Sequence, residues 1–291
     1  MSSLLRLSGP ALALGAILIV AAVSLGRGIG PLYLLGVALV MLGVAGQLLQ
    51  GRCQRPATDR EPIPLALPVT GRWRGLNSPA SKVPSHTHRL AQTYAIDITY
   101  EPEGASPRAL DPLWRPMRRP ESFPSFGQDV LAPFDGEVVA VHATSRDHLS
   151  RLSVPGIAYL LLEGFVRGIG APRHLLGNHV LVRATGGGAA GDAGDAAVPD
   201  GTVVVLAHLR RGSPTVAAGA KVRAGQVLGQ CGNSGNSSDP HVHFQLMDGP
   251  DITTATGLPF TWIYLDEQGA VRTGVPSNEE LFTAVAEEAA R

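Results

Sequence analysis

The chain has 291 residues, with 24 Lys and Arg against 24 Asp and Glu, so its formal net charge is zero and the electrostatic basis for nucleic-acid binding is missing. Its two cysteines, Cys53 and Cys231, lie far apart, which excludes a disulfide framework and a cysteine-based zinc site. Glycine and proline are abundant and aromatic residues are scarce, a composition typical of a turn-rich β protein.

Two uncharged apolar runs come first, "GPALALGAILIVAAVSLG" and "GPLYLLGVALVMLGVAGQLL", separated by a break at Arg27 and Gly28. Each has about membrane-spanning length, so residues 1–50 are predicted to form a two-helix transmembrane hairpin with the lipid bilayer as partner. A signal peptide is the alternative for the first run, but a second apolar run follows at once. A buried soluble hairpin would need a large partner surface, because both runs are apolar all round. Recurring Gly and Ala would allow the two helices to pack closely.

The orientation of this hairpin is predicted weakly by charge. A hairpin returns the chain to the side on which it began, and arginines flank the apolar runs at Arg6, Arg27, Arg52 and Arg55. By the positive-inside rule they mildly favour cytoplasmic ends.

The remaining chain is predicted to be one compact, mainly antiparallel β domain. Residues 51–70 are Pro-rich and predict a linker, and residues 71–275 hold short apolar strands punctuated by turns such as Asp135-Gly136. Two irregular insertions are expected within it, near 101–128 and 143–175. Residues 276–291 are predicted to form a C-terminal helix that begins with a capping box at Ser277 and Glu280.

Histidines at strand ends are the candidates for chemistry. In "HVHFQL", His241 and His243 alternate with Val242 and Phe244, so both imidazoles share one face of a strand, roughly 6.5–7 Å apart. They need not play the same role. A pair of surface histidines on a half-exposed strand is the alternative reading.

Other candidates lie on different segments. His208 closes the apolar strand "TVVVLAHL", and His86 and His88 stand ahead of "YAID". Asp97 interrupts that apolar strand, where a buried carboxylate needs a partner such as a cation. A strand Asp that points outward to water is the alternative.

Two histidines and one carboxylate with an open fourth position are a common catalytic zinc arrangement. Zinc lowers the pKa of water and polarises a carbonyl group, and unligated histidines nearby can move protons and stabilise an oxyanion. These residue types fit an amide hydrolase. Spacing alone leaves open whether they converge in space.

The chain resembles the lysostaphin-like zinc endopeptidases that cut peptidoglycan crosslinks. The resemblance covers roughly residues 70–250 and is carried by "YAID", "VLAPFDGEVVAV", "GNHVLV", "LAHL" and "VRAGQVLGQCGNSGNSSDPHVHFQL". It implies a β domain with a central groove and one Zn²⁺ per chain. It also implies that His243 and Asp97 are metal ligands and that His241 and His208 are catalytic.

The first motif departs from the best-known family pattern. In that pattern a ligand His stands four residues before the Asp, and here the position is Thr93. Similarity to relatives with a "SHG…YAID" type of motif favours His86 as the third ligand, with His88 as the alternative.

The polar loop before the two histidines is predicted to rim the groove. Within it Asn233, Ser234 and Asn236 are the candidate substrate contacts.

The resemblance predicts a membrane-anchored zinc metalloendopeptidase that hydrolyses peptide bonds in peptidoglycan crosslinks or stem peptides. The enzyme would lie in a bacterial cell membrane with its catalytic domain outside the cytoplasm. Its substrate lies outside, and this outweighs a bias of two or three arginines.

Two other functions remain as alternatives. One is an inactive relative that regulates another cell-wall hydrolase by binding, for which the displaced first His is the sole support. The other is a lipoyl-type carrier module, suggested by "VRAGQVLG". That module needs a modifiable lysine at a hairpin tip, whereas Lys221 precedes the segment.

Overall fold

The fold begins with two apolar helices that pack against each other. A computed structural model describes residues 7–57, 60–105, 109–113, 117–185 and 198–284. Helix α1 is Ser8–Ser24 and helix α2 is Pro31–Cys53. Among the described residues, α2 has the length and hydropathy needed to cross a membrane, and α1 is a shorter apolar helix.

Glycines allow the two helices to approach closely, as the sequence predicted. A Cβ added to Gly36 would meet Ile19 Cγ1 at 2.8 Å, and one added to Gly43 would meet Leu12 Cγ at 2.5 Å. The helices are therefore antiparallel, and both ends of the hairpin base, near Ser8 and Cys53, lie on the same side.

The rest of the described chain is mainly β, as predicted. Its principal sheet has twelve strands in the order β1-β12-β14-β2-β3-β10-β7-β6-β5-β8, with β11 beside β10 and β13 beside β12. Strands β4 and β9 form a second sheet. All pairs are antiparallel except β1 with β12, so the large sheet is mixed. The strands are β1 Ile63–Pro64, β2 Arg72–Leu76, β3 Ile96–Tyr100, β4 Asp129–Leu131, β5 Gly136–His142, β6 Asn178–Ala184, β7 Val203–Leu209, β8 Lys221–Val222, β9 Val227–Gln230, β10 Val242–Met247, β11 Gly257–Leu258, β12 Phe260–Asp266, β13 Val271–Gly274 and β14 Leu281–Ala284.

Packing in the hydrophobic core fixes which face of β3 and of β10 points inward. Ile96 and Ile98 on β3, and Val242 and Phe244 on β10, belong to one large hydrophobic cluster. Burying each of these side chains stabilises the fold by roughly 1.5–3 kcal/mol. Because successive side chains alternate between faces, Asp97 and His243 must then share the opposite face.

Residues 51–70 do not form the predicted linker. Helix α2 continues to Cys53, and β1 pairs with β12. Leu65 and Val69 are buried in the main cluster. Leu65 and Val69 therefore anchor the described residues 60–70 to the folded domain.

The insertion at 143–175 is not wholly irregular. It contains helix α3, Val154–Ile169, and a short helix α4, Arg173–Leu176. Ser153 caps α3, because its Oγ accepts a hydrogen bond from the backbone N–H of Gly156. By contrast, the described residues between 101 and 128 hold a single 3-10 turn, Pro120–Ser122, and no strand or α-helix.

The C-terminal helix predicted for 276–291 is wrong where the structure describes it. Residues Leu281–Ala284 form β14 between β2 and β12, because Leu281 and Phe282 are buried there. The capping-box pair does make its contact, since the Ser277 N–H donates to Glu280 Oε2 at 2.7 Å. It closes a turn that leads into a strand, and residues 285–291 lie outside the described residues.

Candidate metal centre

The register of two strands brings a carboxylate and an imidazole together. His243 on β10 lies directly opposite Asp97 on β3. Both side chains are buried, and His243 Nδ1 lies 2.8 Å from Asp97 Oδ1. Asp97 does not point outward to water, and the strand histidine beside it is not a surface residue.

A loop before β3 carries His86 to the same carboxylate. His86 Nε2 lies 3.0 Å from Asp97 Oδ2. The loop is fixed by Ser85, whose Oγ donates to the Ala95 carbonyl at 2.6 Å and lies 3.2 Å from His86 Nδ1. His88 is not part of this group, because its Nδ1 lies 3.0 Å from Thr93 Oγ1 instead.

The three groups form a donor set that suits a metal ion. One ligand atom from each of His86, Asp97 and His243 lies within 4.8 Å of the other two. Two imidazole nitrogens and one carboxylate oxygen are ligands that zinc prefers, and they leave a fourth position open. A buried carboxylate faced by several imidazoles also has the charge that a cation requires. The residues present therefore fit zinc.

Asp97 and His86 shift each other's pKa values toward their charged forms. Burial raises the pKa of Asp97, but the nearby His86, His241 and His243 outweigh it and hold that pKa well below its usual range. For His86, burial lowers the pKa while the charge and hydrogen bond of Asp97 raise it, and the net shift is upward. Asp97 is accordingly ionised and available as a ligand at neutral pH.

Two further histidines lie beside the three ligand candidates. The ring centres of His208 and His241 are 4.7 Å apart, and those of His208 and His243 are 5.7 Å apart. His241 Nδ1 lies 2.8 Å from the Asp239 carbonyl, and His208 Nδ1 lies 2.8 Å from the Ser234 carbonyl. A neutral ring must place its proton on Nδ1 to donate there, which leaves Nε2 as an acceptor.

His208 is held in an unusual state. Its backbone φ is +59°, a conformation that costs a non-glycine residue on the order of 1–3 kcal/mol. Burial lowers the pKa of His208 well below its usual value, and the neighbouring His241 and His243 lower it further. The ring is thus neutral at neutral pH and can accept a proton.

Two amides at this site were not assigned any role from the sequence. The Asn77 side-chain amide donates to Asp97 Oδ2 at 2.7 Å. Gln245 Oε1 lies 2.9 Å from His243 Nε2. Gln245 shares the strand face of His243 two residues earlier, which was an available signal. Asn77 left no such signal, because it reaches the site from a turn after β2 with a φ of +46°.

A chain of hydrogen bonds continues from Gln245 to the end of α2. Gln245 Nε2 donates to the Leu90 carbonyl at 2.9 Å, and the Leu90 N–H donates to Gln54 Oε1 at 2.9 Å. Gln54 Nε2 in turn donates to the carbonyls of Ile252 and Ala255, at 2.9 and 2.7 Å. The buried Gln54 therefore joins the hairpin base to the backbone that supports the metal centre.

The loop before the two histidines is held by hydrogen bonds within the domain. Asn233 and Ser234 are fully buried. Asn233 Nδ2 donates to the His148 carbonyl, and Ser234 Oγ donates to the Leu209 carbonyl. Both side chains therefore hold the loop in place, and their predicted contact with substrate stays a prediction. Asn236 is half-buried beside Gly164 of α3, and a role for it in substrate binding stays a prediction.

The comparisons with known proteins agree with the site. The model of peptidase family M23 matches residues 162–254, which include His208, His241 and His243. This match confirms the predicted resemblance to the lysostaphin-like family. The matched segment is thus similar to peptidase family M23 and spans about a third of the chain.

Solved structures show weaker similarity. The catalytic domain of lysostaphin from Staphylococcus simulans is 17% identical, with 72% of this chain and 92% of that chain covered and a TM-score of 0.30. The M23 metalloprotease pseudoalterin from the deep sea is 13% identical, with 75% of this chain and 96% of that chain covered and a TM-score of 0.33. A zinc-containing peptidase from Vibrio cholerae is 16% identical, with 70% of this chain and 41% of that chain covered and a TM-score of 0.29. These values are too low to transfer an activity or a site residue.

Proposed function

We propose that the chain is a membrane-anchored zinc metalloendopeptidase that hydrolyses peptide bonds in peptidoglycan crosslinks or stem peptides. The observation that carries this proposal is the convergence of His86, Asp97 and His243, with His208 and His241 beside them. The match to a peptidase family supports peptide-bond chemistry.

Each residue of the site has a proposed role. His86, Asp97 and His243 hold the metal, and Asn77 orients Asp97 by its hydrogen bond. Zinc, when bound, supplies a Lewis acid that lowers the pKa of water and polarises a peptide carbonyl. His208 and His241 accept a proton at Nε2, and the rings protonated there then donate hydrogen bonds to developing oxyanion charge.

An inactive, regulatory relative is less well supported. Its sole motive was the displaced first histidine, and the loop at Ser85 brings His86 within 3.0 Å of Asp97. The carrier-module alternative also loses support. Lys221 lies within β8 at the edge of the sheet, whereas a carrier module needs its lysine at the tip of a β-hairpin.

Membrane anchoring is part of the same proposal. The apolar helices α1 and α2 would lie in a bacterial cell membrane, and the β domain would face outward, where peptidoglycan is found. The exposed leucines and valines of both helices support a lipid surrounding.

Single variants of the full-length chain in detergent would test the metal site. We expect about one zinc per chain for the parent, and loss of zinc in Asp97→Ala, His86→Ala and His243→Ala, because each removes one ligand. His88→Ala is the matched control and should keep its zinc. Metal content by atomic emission decides the ligands, and hydrolysis of purified peptidoglycan decides the substrate.

The outcomes separate the parts of the proposal. Retention of zinc in Asp97→Ala would refute the site. Loss of zinc in His88→Ala with retention of zinc in His86→Ala would make His88 the ligand in place of His86. A zinc-loaded parent that leaves peptidoglycan intact would refute the substrate while leaving the metal centre standing.

A further inference from the structure

Helix α3 carries its large apolar side chains outward. Surface helices of soluble proteins normally turn the apolar face to the core and the charged face to water. In α3 the solvent-facing side chains are apolar and between 46% and 69% exposed: Val154, Tyr159, Leu161, Leu162, Phe165 and Val166.

The polar face of α3 points inward, onto the loop that rims the groove. Glu163 forms an ion pair with the buried Arg151 and another with Arg167 at 2.7 Å. The Arg151 N–H donates to the Ser238 carbonyl at 2.6 Å. A Cβ added to Gly164 would meet the Asn236 side chain at 2.9 Å. The helix thus covers the segment that leads to His241.

The exposed face is continuous with the apolar hairpin. Gly9 of α1 packs directly against the Ile169 carbonyl at the end of α3. Gln47 of α2 reaches Gly168 with a side-chain hydrogen bond of 3.4 Å. Val166 of the exposed face lines one cavity together with Pro10 and Ala13 of α1, so this face borders the hairpin at its C-terminal end.

We propose that the apolar face of α3 lies in the headgroup region of the bilayer that holds α1 and α2, as an interfacial helix. This inference rests on the proposed membrane anchoring. Lipid is the occupant that the structure favours over a second protein copy, because α3 touches both hairpin helices and extends their apolar surface. An inserted α3 holds the groove rim at the membrane surface, since its polar face carries the contacts to Arg151 and Asn236.

Site-specific labelling of the full-length chain would test this placement. Cys53 is exposed and Cys231 is buried, so a Cys53→Ser background accepts a thiol-reactive NBD label at one added cysteine. The added positions are Phe165→Cys on α3, Leu42→Cys on α2 as the membrane reference, and Val271→Cys on β13 as an equally exposed apolar control. The probe is quenching by nitroxide lipids in phosphatidylethanolamine–phosphatidylglycerol vesicles, with circular dichroism to confirm folding.

We expect strong quenching at Phe165 by nitroxides near the headgroup, strong quenching at Leu42 by nitroxides deep in the acyl region, and little at Val271. Quenching at Leu42 without quenching at Phe165 would overturn the placement of α3 and leave the anchor intact. No quenching at Leu42 would refute the anchor itself, and α3 with it. Concentration-dependent shielding of Phe165 without lipid quenching would assign the face to a second copy.

Discussion

At the scale of single residues, Gln245 determines how His243 can meet a metal. Its Oε1 lies 2.9 Å from His243 Nε2, and its Nε2 is committed to the Leu90 carbonyl. A fixed acceptor keeps the proton on His243 Nε2 and leaves Nδ1, the atom beside Asp97, free to serve as the proposed ligand atom. Gln245 is accordingly a positioning residue.

Gln245→Ala should weaken zinc binding by roughly 10–100-fold, the usual effect of removing such a partner. Competition with a chromophoric chelator measures the affinity. Gln245→Glu keeps an acceptor and should restore much of it, and the exposed Gln268→Ala should change nothing. Equal affinity in the parent and in Gln245→Ala would remove the positioning role.

The two unligated histidines make a separate prediction. His208→Ala and His241→Ala should keep zinc and lose turnover by on the order of 10²–10⁴-fold, because each removes a proton-transfer group. Metal content and peptidoglycan hydrolysis are measured on the same samples. If either variant sheds its zinc, that residue is a ligand and not a proton-transfer group.

Much of the candidate metal site could be predicted from short-range patterns in the sequence. The alternation in "HVHF" and the interruption of an apolar strand by Asp97 already placed polar groups on one face. The choice between His86 and His88 depended on the path of a loop, which is set by the Ser85 hydrogen bonds to the backbone. The burial of Asn233 and Ser234 was not foreseen, because the sequence of a polar loop does not reveal whether its side chains bond to solvent or to buried carbonyls.

At the scale of elements, α3 and β14 show where pattern fails. The apolar stripe of α3 faces outward, so it lacks the polar outer face expected of a surface helix. Ser277 and Glu280 have the capping-box spacing, but burial of Leu281 and Phe282 between two strands decides for β structure. Tertiary pairing outweighs a local helix signal there.

The pairing of β5 with β6 carries a pH dependence. His142 and His179 are partners in this register, and their rings stack with centres 5.7 Å apart. Burial lowers both pKa values below 6.5; nearby Arg173 and His174 add to the effect at His142, and for His179 burial outweighs the hydrogen bond to the Gly177 carbonyl. These two rings then bind fewer protons in the folded chain than in the unfolded chain below pH 6.5, so their contribution to stability falls as the pH falls through that range.

We expect a lower Tm at about pH 5.5 than at about pH 7.5, with a smaller difference in His179→Gln, because that variant removes one titrating ring. Thermal unfolding in detergent, followed by circular dichroism, measures both. Asn278→Gln, a change in a residue that does not titrate, is the control and should keep the parent's difference. If His179→Gln shows the same fall in Tm between the two pH values as the parent, groups other than His179 cause the fall.

At the scale of the whole molecule, the side of the membrane is the open prediction. Protease added to intact, wall-stripped cells should digest the region after Arg52, because the proposed substrate lies outside. A cytoplasmic marker protein should stay intact in the same cells. Protection of the domain until the membrane is broken would place it in the cytoplasm, in line with the arginine bias, and would remove its substrate.

The hydrogen bonds of Gln54 make the two parts of this protein poor candidates for exchange. A foreign anchor fused at this point would leave the Leu90 N–H without its acceptor and the Ile252 and Ala255 carbonyls without their donor, unless it supplied an amide in the same place. Leu90 and Ala91 both have φ near +58°, so the turn that would lose this support is already strained. The helical hairpin and the β domain are therefore expected to be inherited together, and a chimaera that swaps the hairpin should fail first in metal affinity.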